Sequence, residues 1–145
     1  MLFRSTSAGR IERLDPNTNR VLDSISRERV GFDELGGGIA AGAGALWTAT
    51  YLDKTLWKID PVTGDFVGGV PLGGAPAGVA FGDGAVWIVR SDGTLLRVDP
   101  QSQKVVRKIP LGVYASQSGS GEVGAQGRWA PVAVGYGAVW LAVTP

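Results

Sequence analysis

The chain has 145 residues, an ordinary length for one domain, and its 14 Lys plus Arg against 13 Asp plus Glu leave a formal charge of +1. That balance provides no basic stripe of the kind a nucleic-acid partner requires, and no apolar run approaches the ~20 residues of a membrane-spanning helix. Cys and His are both absent, which removes disulfides, thiolate metal sites, thiol nucleophiles, and the commonest general base and metal ligand.

Two motifs alternate along the rest. Gly-x-Gly-Ala-(Leu/Val)-Trp occurs at Gly42 to Trp47, Gly82 to Trp87 and Gly135 to Trp140, and an Asp-Pro turn occurs at Asp15-Pro16, Asp60-Pro61 and Asp99-Pro100. Gly42 to Gly82 spans 40 residues and Asp60 to Asp99 spans 39, whereas Gly82 to Gly135 spans 53 because of an insertion after Leu111. A period near 40 with alternating apolar residues is that of a four-stranded antiparallel propeller blade, with strands A to D.

In chain order, Met1-Leu2-Phe3-Arg4 carries no apolar core of a secretory signal. Phe3 lies 12 residues before Asp15, the same distance that separates Trp87 from Asp99. The chain is thus expected to open inside a strand B, with strand C at Arg10 to Asp15 and strand D at Val21 to Ile25. Residues 1–37 hold this half blade and a loop, and residues 38–77 form a blade running from Gly38 to Leu72. Residues 78–130 form the next blade: A from Gly78 to Phe81, B from Ala85 to Arg90, C from Thr94 to Asp99, D from Lys104 to Leu111, then a long loop. Residues 131–145 supply A (Pro131 to Val134) and B (Ala138 to Val143). Gly-x-Gly is expected to provide φ > 0 in the A–B hairpin, Asp-Pro to cap the C–D turn, and the recurring Trp to fill the gap between sheets.

The fold expectation is therefore all-β: half a blade, two blades and half a blade. Closed propellers need about 4 to 8 blades. The chain is then either a segment of a longer propeller or half of a six-bladed ring closed by a homodimer, in which the last A and B strands of one copy meet the first C and D strands of the other.

The Gly-x-Gly-Ala-Val-Trp and Thr-Leu-x-(Lys/Arg)-(Ile/Val)-Asp-Pro segments resemble the YVTN-repeat and virginiamycin B lyase-like propellers of bacteria, over nearly all of residues 10 to 143. The resemblance implies a secreted or periplasmic setting. The lyase of that superfamily is described as using a His and a magnesium ion, and related lactonases as holding a channel metal with Glu, Asp and Asn. This sequence has no His, and its only Asn residues are Asn17 and Asn19 in a turn. No cofactor or metal ligand set is expected.

The A–B and C–D turns share one rim of such a frame and are short. The B–C and D–A loops share the other and are irregular, which is where binding concentrates on a rigid scaffold. The candidate binding residues are Arg29, Asp33, Glu34, Tyr51, Asp53, Arg90, Asp92, Tyr114, Arg128 and Trp129: Arg to clamp a carboxylate, Tyr and Trp to stack on a planar or sugar ligand. The expected function is non-catalytic recognition of a protein or small ligand, without nucleic acid or membrane. The alternatives are a metal-dependent lyase or hydrolase, and a structural spacer in a larger receptor or regulator. Gly42-Ala43-Gly44 and Gly82-Asp83-Gly84 lack the third Gly and the following helix of a nucleotide fingerprint. Asp15, Asp60 and Asp99 recur once per blade, too far apart to share an ion.

Overall fold

The computed structural model describes residues 2–5, 11–25, 35–112 and 132–141, and among them every regular element is a strand. A three-stranded sheet comprises β1 (Leu2–Ser5), β2 (Ile11–Asp15) and β3 (Arg20–Ile25). Two four-stranded antiparallel sheets follow: β4 (Leu35–Gly42), β5 (Ala45–Thr50), β6 (Thr55–Ile59) and β7 (Phe66–Pro71), then β8 (Pro76–Gly82), β9 (Ala85–Arg90), β10 (Thr94–Asp99) and β11 (Lys104–Pro110). A last hairpin pairs β12 (Val132–Gly135) with β13 (Ala138–Leu141). These are propeller blades in the order the repeat predicts. Strands β9 and β10 have the expected bounds. Strands β4 and β8 begin earlier than expected, at Leu35 and Pro76, because a register shift at Leu35/Ile39 and Pro76/Gly78 carries pairing past the irregularity.

The chain opens inside a strand B, as the distance from Phe3 to Asp15 predicts: β1 pairs with β2 and sets Phe3 opposite Arg13. The last hairpin brings a second B strand, β13, and the two partial sheets therefore hold five strands where one blade has four.

The sheets stack through three apolar seams, each built from the forward face of one blade and the backward face of the next. Phe3, Ile11 and Ile25 meet Leu46, Trp57, Ile59 and Phe66. Trp47, Ala49, Leu56 and Val70 meet Val79, Val86, Ile88, Leu96 and Val98. Trp87, Val89, Leu95 and Ile109 meet Val132, Val139 and Leu141. A strand covered on both faces is apolar at most positions, which is why β5 and β9 read as near-continuous hydrophobic runs although they are antiparallel, and the buried Thr48 and Thr50 of β5 donate their hydroxyls to the Gly38 carbonyl and the Asp53 carboxylate.

One cluster recurs in two of the seams. The strand-B ring lies opposite a strand-C cation: Trp47 opposite Lys58 and Trp87 opposite Arg97. The Lys58 ammonium lies 5.5 Å from the Trp47 ring centre and the Arg97 guanidinium 5.7 Å from that of Trp87, a cation–π arrangement. The indole N–H of Trp47, Trp87 and Trp140 donates to the carbonyl of Gly42, Gly82 and Gly135 at 3.0, 3.1 and 3.0 Å.

The Gly-x-Gly signature divides its labour differently from the sequence expectation. The left-handed residues are the middle one (Ala43, Asp83, Tyr136) and the second Gly (Gly44, Gly84, Gly137), the two centres of a type I′ hairpin turn. The first Gly is absent from this φ > 0 set and serves packing. A Cβ at Gly42 would enter the Phe81 ring of the next blade, and one at Gly82 would enter the Val134 side chain.

The C–D turns are closed by their Asp residues as expected. Asp15 accepts the Asn17 N–H at 2.8 Å, Asp60 those of Val62 and Thr63 at 2.7 and 3.0 Å, and Asp99 those of Gln101 and Ser102 and the Ser102 hydroxyl. These bonds hold all three carboxyls below the ordinary 3.8, led by Asn17 N–H for Asp15, Thr63 N–H for Asp60 and the Ser102 hydroxyl for Asp99. A depressed folded-state value adds stability above the unfolded-state value and loses it as pH falls through the folded one. Stability is therefore expected to decline as pH drops below 3.8. Asp60→Asn keeps a side-chain acceptor but cannot titrate. Urea midpoints of wild type and Asp60→Asn should differ at pH 7 and converge near ~pH 2; a gap that stays constant over that range would contradict turn capping by the carboxylate.

Candidate binding rim

The rim opposite the Gly-x-Gly and Asp-Pro turns is built from the B–C turns and D–A connections. Of the ten residues expected there, Arg29, Asp33, Glu34, Tyr114, Arg128 and Trp129 lie outside the described residues. Tyr51, Asp53, Arg90 and Asp92 are described, and all four sit in or beside the B–C turns of the two complete blades.

The B–C turns of the two complete blades use one chemistry, Asp, then a left-handed residue, then Thr: Asp53-Lys54-Thr55 and Asp92-Gly93-Thr94, with Lys54 at φ 53 and Gly93 at φ 79. The Asp carboxylate accepts the Thr backbone N–H, at 3.3 Å for Asp53 and 3.1 Å for Asp92. Each carboxylate also takes a partner from the end of strand B. Asp53 accepts the Thr50 hydroxyl, which in turn receives the Trp57 indole N–H, and Asp92 pairs with the Arg90 guanidinium. These Asp residues are turn caps first. The repeated Asp-x-Thr-Leu spacing (Asp53 to Leu56, Asp92 to Leu95) is the sequence signal for it.

The turns are laced to the D–A connections by equivalent bonds: Leu72 N–H to the Lys54 carbonyl at 2.8 Å and Leu111 N–H to the Gly93 carbonyl at 2.9 Å. The connection between the two complete blades is only Leu72 to Ala75. Arg90 is folded down onto it. Its guanidinium donates to the Leu72 carbonyl at 3.4 Å, and its side chain covers Gly74, where a Cβ would collide with it. The Arg90 side chain is 14% exposed and its Nε is buried without a hydrogen-bond partner.

What the rim presents to solvent is therefore different from the charged pair. Tyr51 and Leu52 are exposed side by side, at 41% and 60%, next to exposed Asp53 and Lys54. Leu52 was not singled out from sequence, although its position in a turn beside Tyr51 is visible there. Among the described residues no three acidic side chains converge to hold a metal ion.

No family model and no curated protein sequence matches the chain. Solved structures do. The chain is similar over 97% of its length to Myxococcus xanthus glutaminyl cyclase (15% identity, TM-score 0.64) and over 74% to BamB from Moraxella catarrhalis (17%, 0.59). It is also similar over 71% of its length to the WD40 domain of Neurospora crassa Pan2 (14%, 0.57). It spans 56%, 32% and 31% of those chains. All are propeller structures, and at such identities the likeness establishes the fold alone.

Proposed function

We propose that this chain is a propeller recognition scaffold that binds a protein or small ligand through the B–C/D–A rim, within the YVTN-like group that its Gly-x-Gly-Ala-(Leu/Val)-Trp and Thr-Leu-x-(Lys/Arg)-(Ile/Val)-Asp-Pro segments resemble. The observation that carries the reading is the contrast between the rims. The A–B and C–D turns repeat from blade to blade with their polar groups satisfied internally. The other rim combines hairpins fixed by Asp53 and Asp92 with an exposed Tyr51-Leu52 tip and D–A connections of very unequal length. Rigid turns that display an exposed aromatic and an aliphatic side chain bind at low entropic cost. Arg29 and Arg128, on the two long connections, supply the cations for an anionic group on the same ligand.

The test is a screen of the 145-residue protein against immobilised glycans and peptides, followed by titration of the strongest binder with Tyr51→Ala, Arg29→Ala and Arg128→Ala. Loss of an aromatic anchor or a charge clamp at the centre of a site is expected to weaken binding by ~30-fold or more. Undiminished affinity in all three variants removes the rim as the site. Asp92→Ala separates the two roles of the turn: it is expected to lower thermal stability, and to affect binding only by loosening the turn.

A further inference from the structure

Each blade's forward face is covered by the blade that follows, and repeat-equivalent residues record how completely. Trp47 is fully buried, Trp87 is half-buried under the β12–β13 hairpin, and Trp140 is 58% exposed. The slot above the first Gly follows the same gradient. Gly42 receives Phe81 and Gly82 receives Val134, while nothing lies within 4 Å of a Cβ at Gly135.

At the other end of the molecule the backward face is bare. In the complete blades, the residues paired across strands C and D just past the bulge are Ile59 with Phe66 and Val98 with Val105, and both pairs pack against a neighbouring seam. Their equivalents in the first sheet are Leu14 and Val21. Val21 is 48% exposed, whereas Phe66 and Val105 are half-buried. The chain thus carries a forward apolar face at β12–β13 and a backward apolar face at β2–β3, and each is the counterpart of a surface that is buried elsewhere in the same molecule.

The edges match as well. Strand β13 pairs with β12 alone among the described residues, whereas its equivalents β5 and β9 have a strand C, β6 and β10, on their other side. The B-strand place on β2 is filled by β1. The register sets Arg4 opposite Glu12, the place held in the complete blades by Thr48 and Ile88, both fully buried. Strand β13 has Leu141 at that place and Trp140 at the place of Phe3.

We propose that two copies of the chain exchange strands. Strand β13 of each displaces β1 of the other from β2, so that β12 and β13 of one copy and β2 and β3 of its partner form one four-stranded blade. This happens twice, and six blades close a ring. The occupant of the free β13 edge is thus a second copy of this chain, and the site does not depend on any ligand of the loop rim. In the shared blade Trp140 lies opposite Arg13 of the partner subunit, as Trp87 lies opposite Arg97 within the chain. Val139 lies opposite Leu14 of the partner subunit, and Leu141 opposite Glu12 of the partner subunit. The Leu14–Val21 pair of the partner then covers Trp87 as Val98 and Val105 cover Trp47. The contact is head to tail but closes on itself after two copies, and it removes both open edges.

The chain has no Cys, so introduced thiols report without background. Leu14→Cys and Val139→Cys are made separately in the full chain, mixed and oxidised. A covalent dimer is expected from the mixture and from neither variant alone. Light scattering of the wild type is expected to give twice the chain mass. Trp140→Ala is expected to weaken the dimer by ~30-fold or more, as truncation of a buried aromatic anchor does. Phe3→Ala should leave the dimer as tight or tighter, because Phe3 belongs to the displaced strand. A monomer at all accessible concentrations, a dimer in which residues 14 and 139 do not cross-link, or a dimer weakened by Phe3→Ala and indifferent to Trp140→Ala would each overturn the exchange.

Discussion

Trp47→Ala is expected to destabilise the fold by about 3–5 kcal/mol, the range for truncating a buried Trp or Phe, a large fraction of the margin of a domain, which is about 5–15 kcal/mol. Trp47 has no exposed surface. Its ring is enclosed by Val79, Val86, Ile88, Leu96 and Val98 of the next blade, its indole N–H is bonded to the Gly42 carbonyl, and Lys58 lies over its face. Truncation opens a cavity between two sheets that are each pinned by four strands, so the gap collapses only in part. It also strands the Lys58 ammonium, whose remaining bond goes to the Pro100 carbonyl across the seam. The repeat-equivalent substitutions should cost less in order of cover. Trp87→Ala is intermediate, and Trp140→Ala in a dilute monomer lies near zero because its ring is already 58% exposed. Urea unfolding of the three variants at low protein concentration measures the series. Equal losses at all three sites would mean that the ring stabilises its own hairpin rather than the seam between blades. A Trp140→Ala effect that grows with protein concentration would instead report the shared blade.

The repeat made the frame readable because each signature is a local solution to one problem. Asp-Pro closes a C–D turn, Gly-x-Gly closes an A–B turn, and a strand covered on both faces is apolar at most positions, so β9 and β10 fall where spacing puts them. Phe3 could be placed opposite Arg13 from its distance to Asp15 alone. Reading failed where a residue's role depends on another blade. The first Gly of Gly-x-Gly is invisible as a packing slot until Phe81 or Val134 is seen entering it. On the rim, charge alone does not distinguish a ligand clamp from a cap. Asp53 and Asp92 close their turns, and Arg90 is spent on Asp92 and the Leu72 carbonyl. The Tyr51-Leu52 tip is what these turns leave exposed.

Gly42→Ala gives the sharpest contrast between a turn role and a seam role for the same residue type. Gly42 is not among the residues with positive φ, so a methyl group there causes no backbone strain, and in a strand Ala would be favoured over Gly by roughly 0.5–1 kcal/mol. The methyl group nevertheless lands inside the Phe81 ring, which packs against the Trp47 seam. Overpacking of this kind costs about 1–3 kcal/mol, which exceeds the propensity gain, so the net effect is expected to be destabilising. Gly135→Ala is the internal control: the repeat position is the same, but nothing lies within 4 Å of the added carbon, and its effect should be near zero or slightly stabilising. The cause is isolated by the double variant Gly42→Ala/Phe81→Ala. With the ring removed the methyl has space, so the double variant should be more stable than the sum of the single losses by about 1 kcal/mol or more. Urea midpoints of the four proteins complete the cycle. Additivity would show that Gly42 is required for the hairpin itself, whereas positive coupling locates its role between blades.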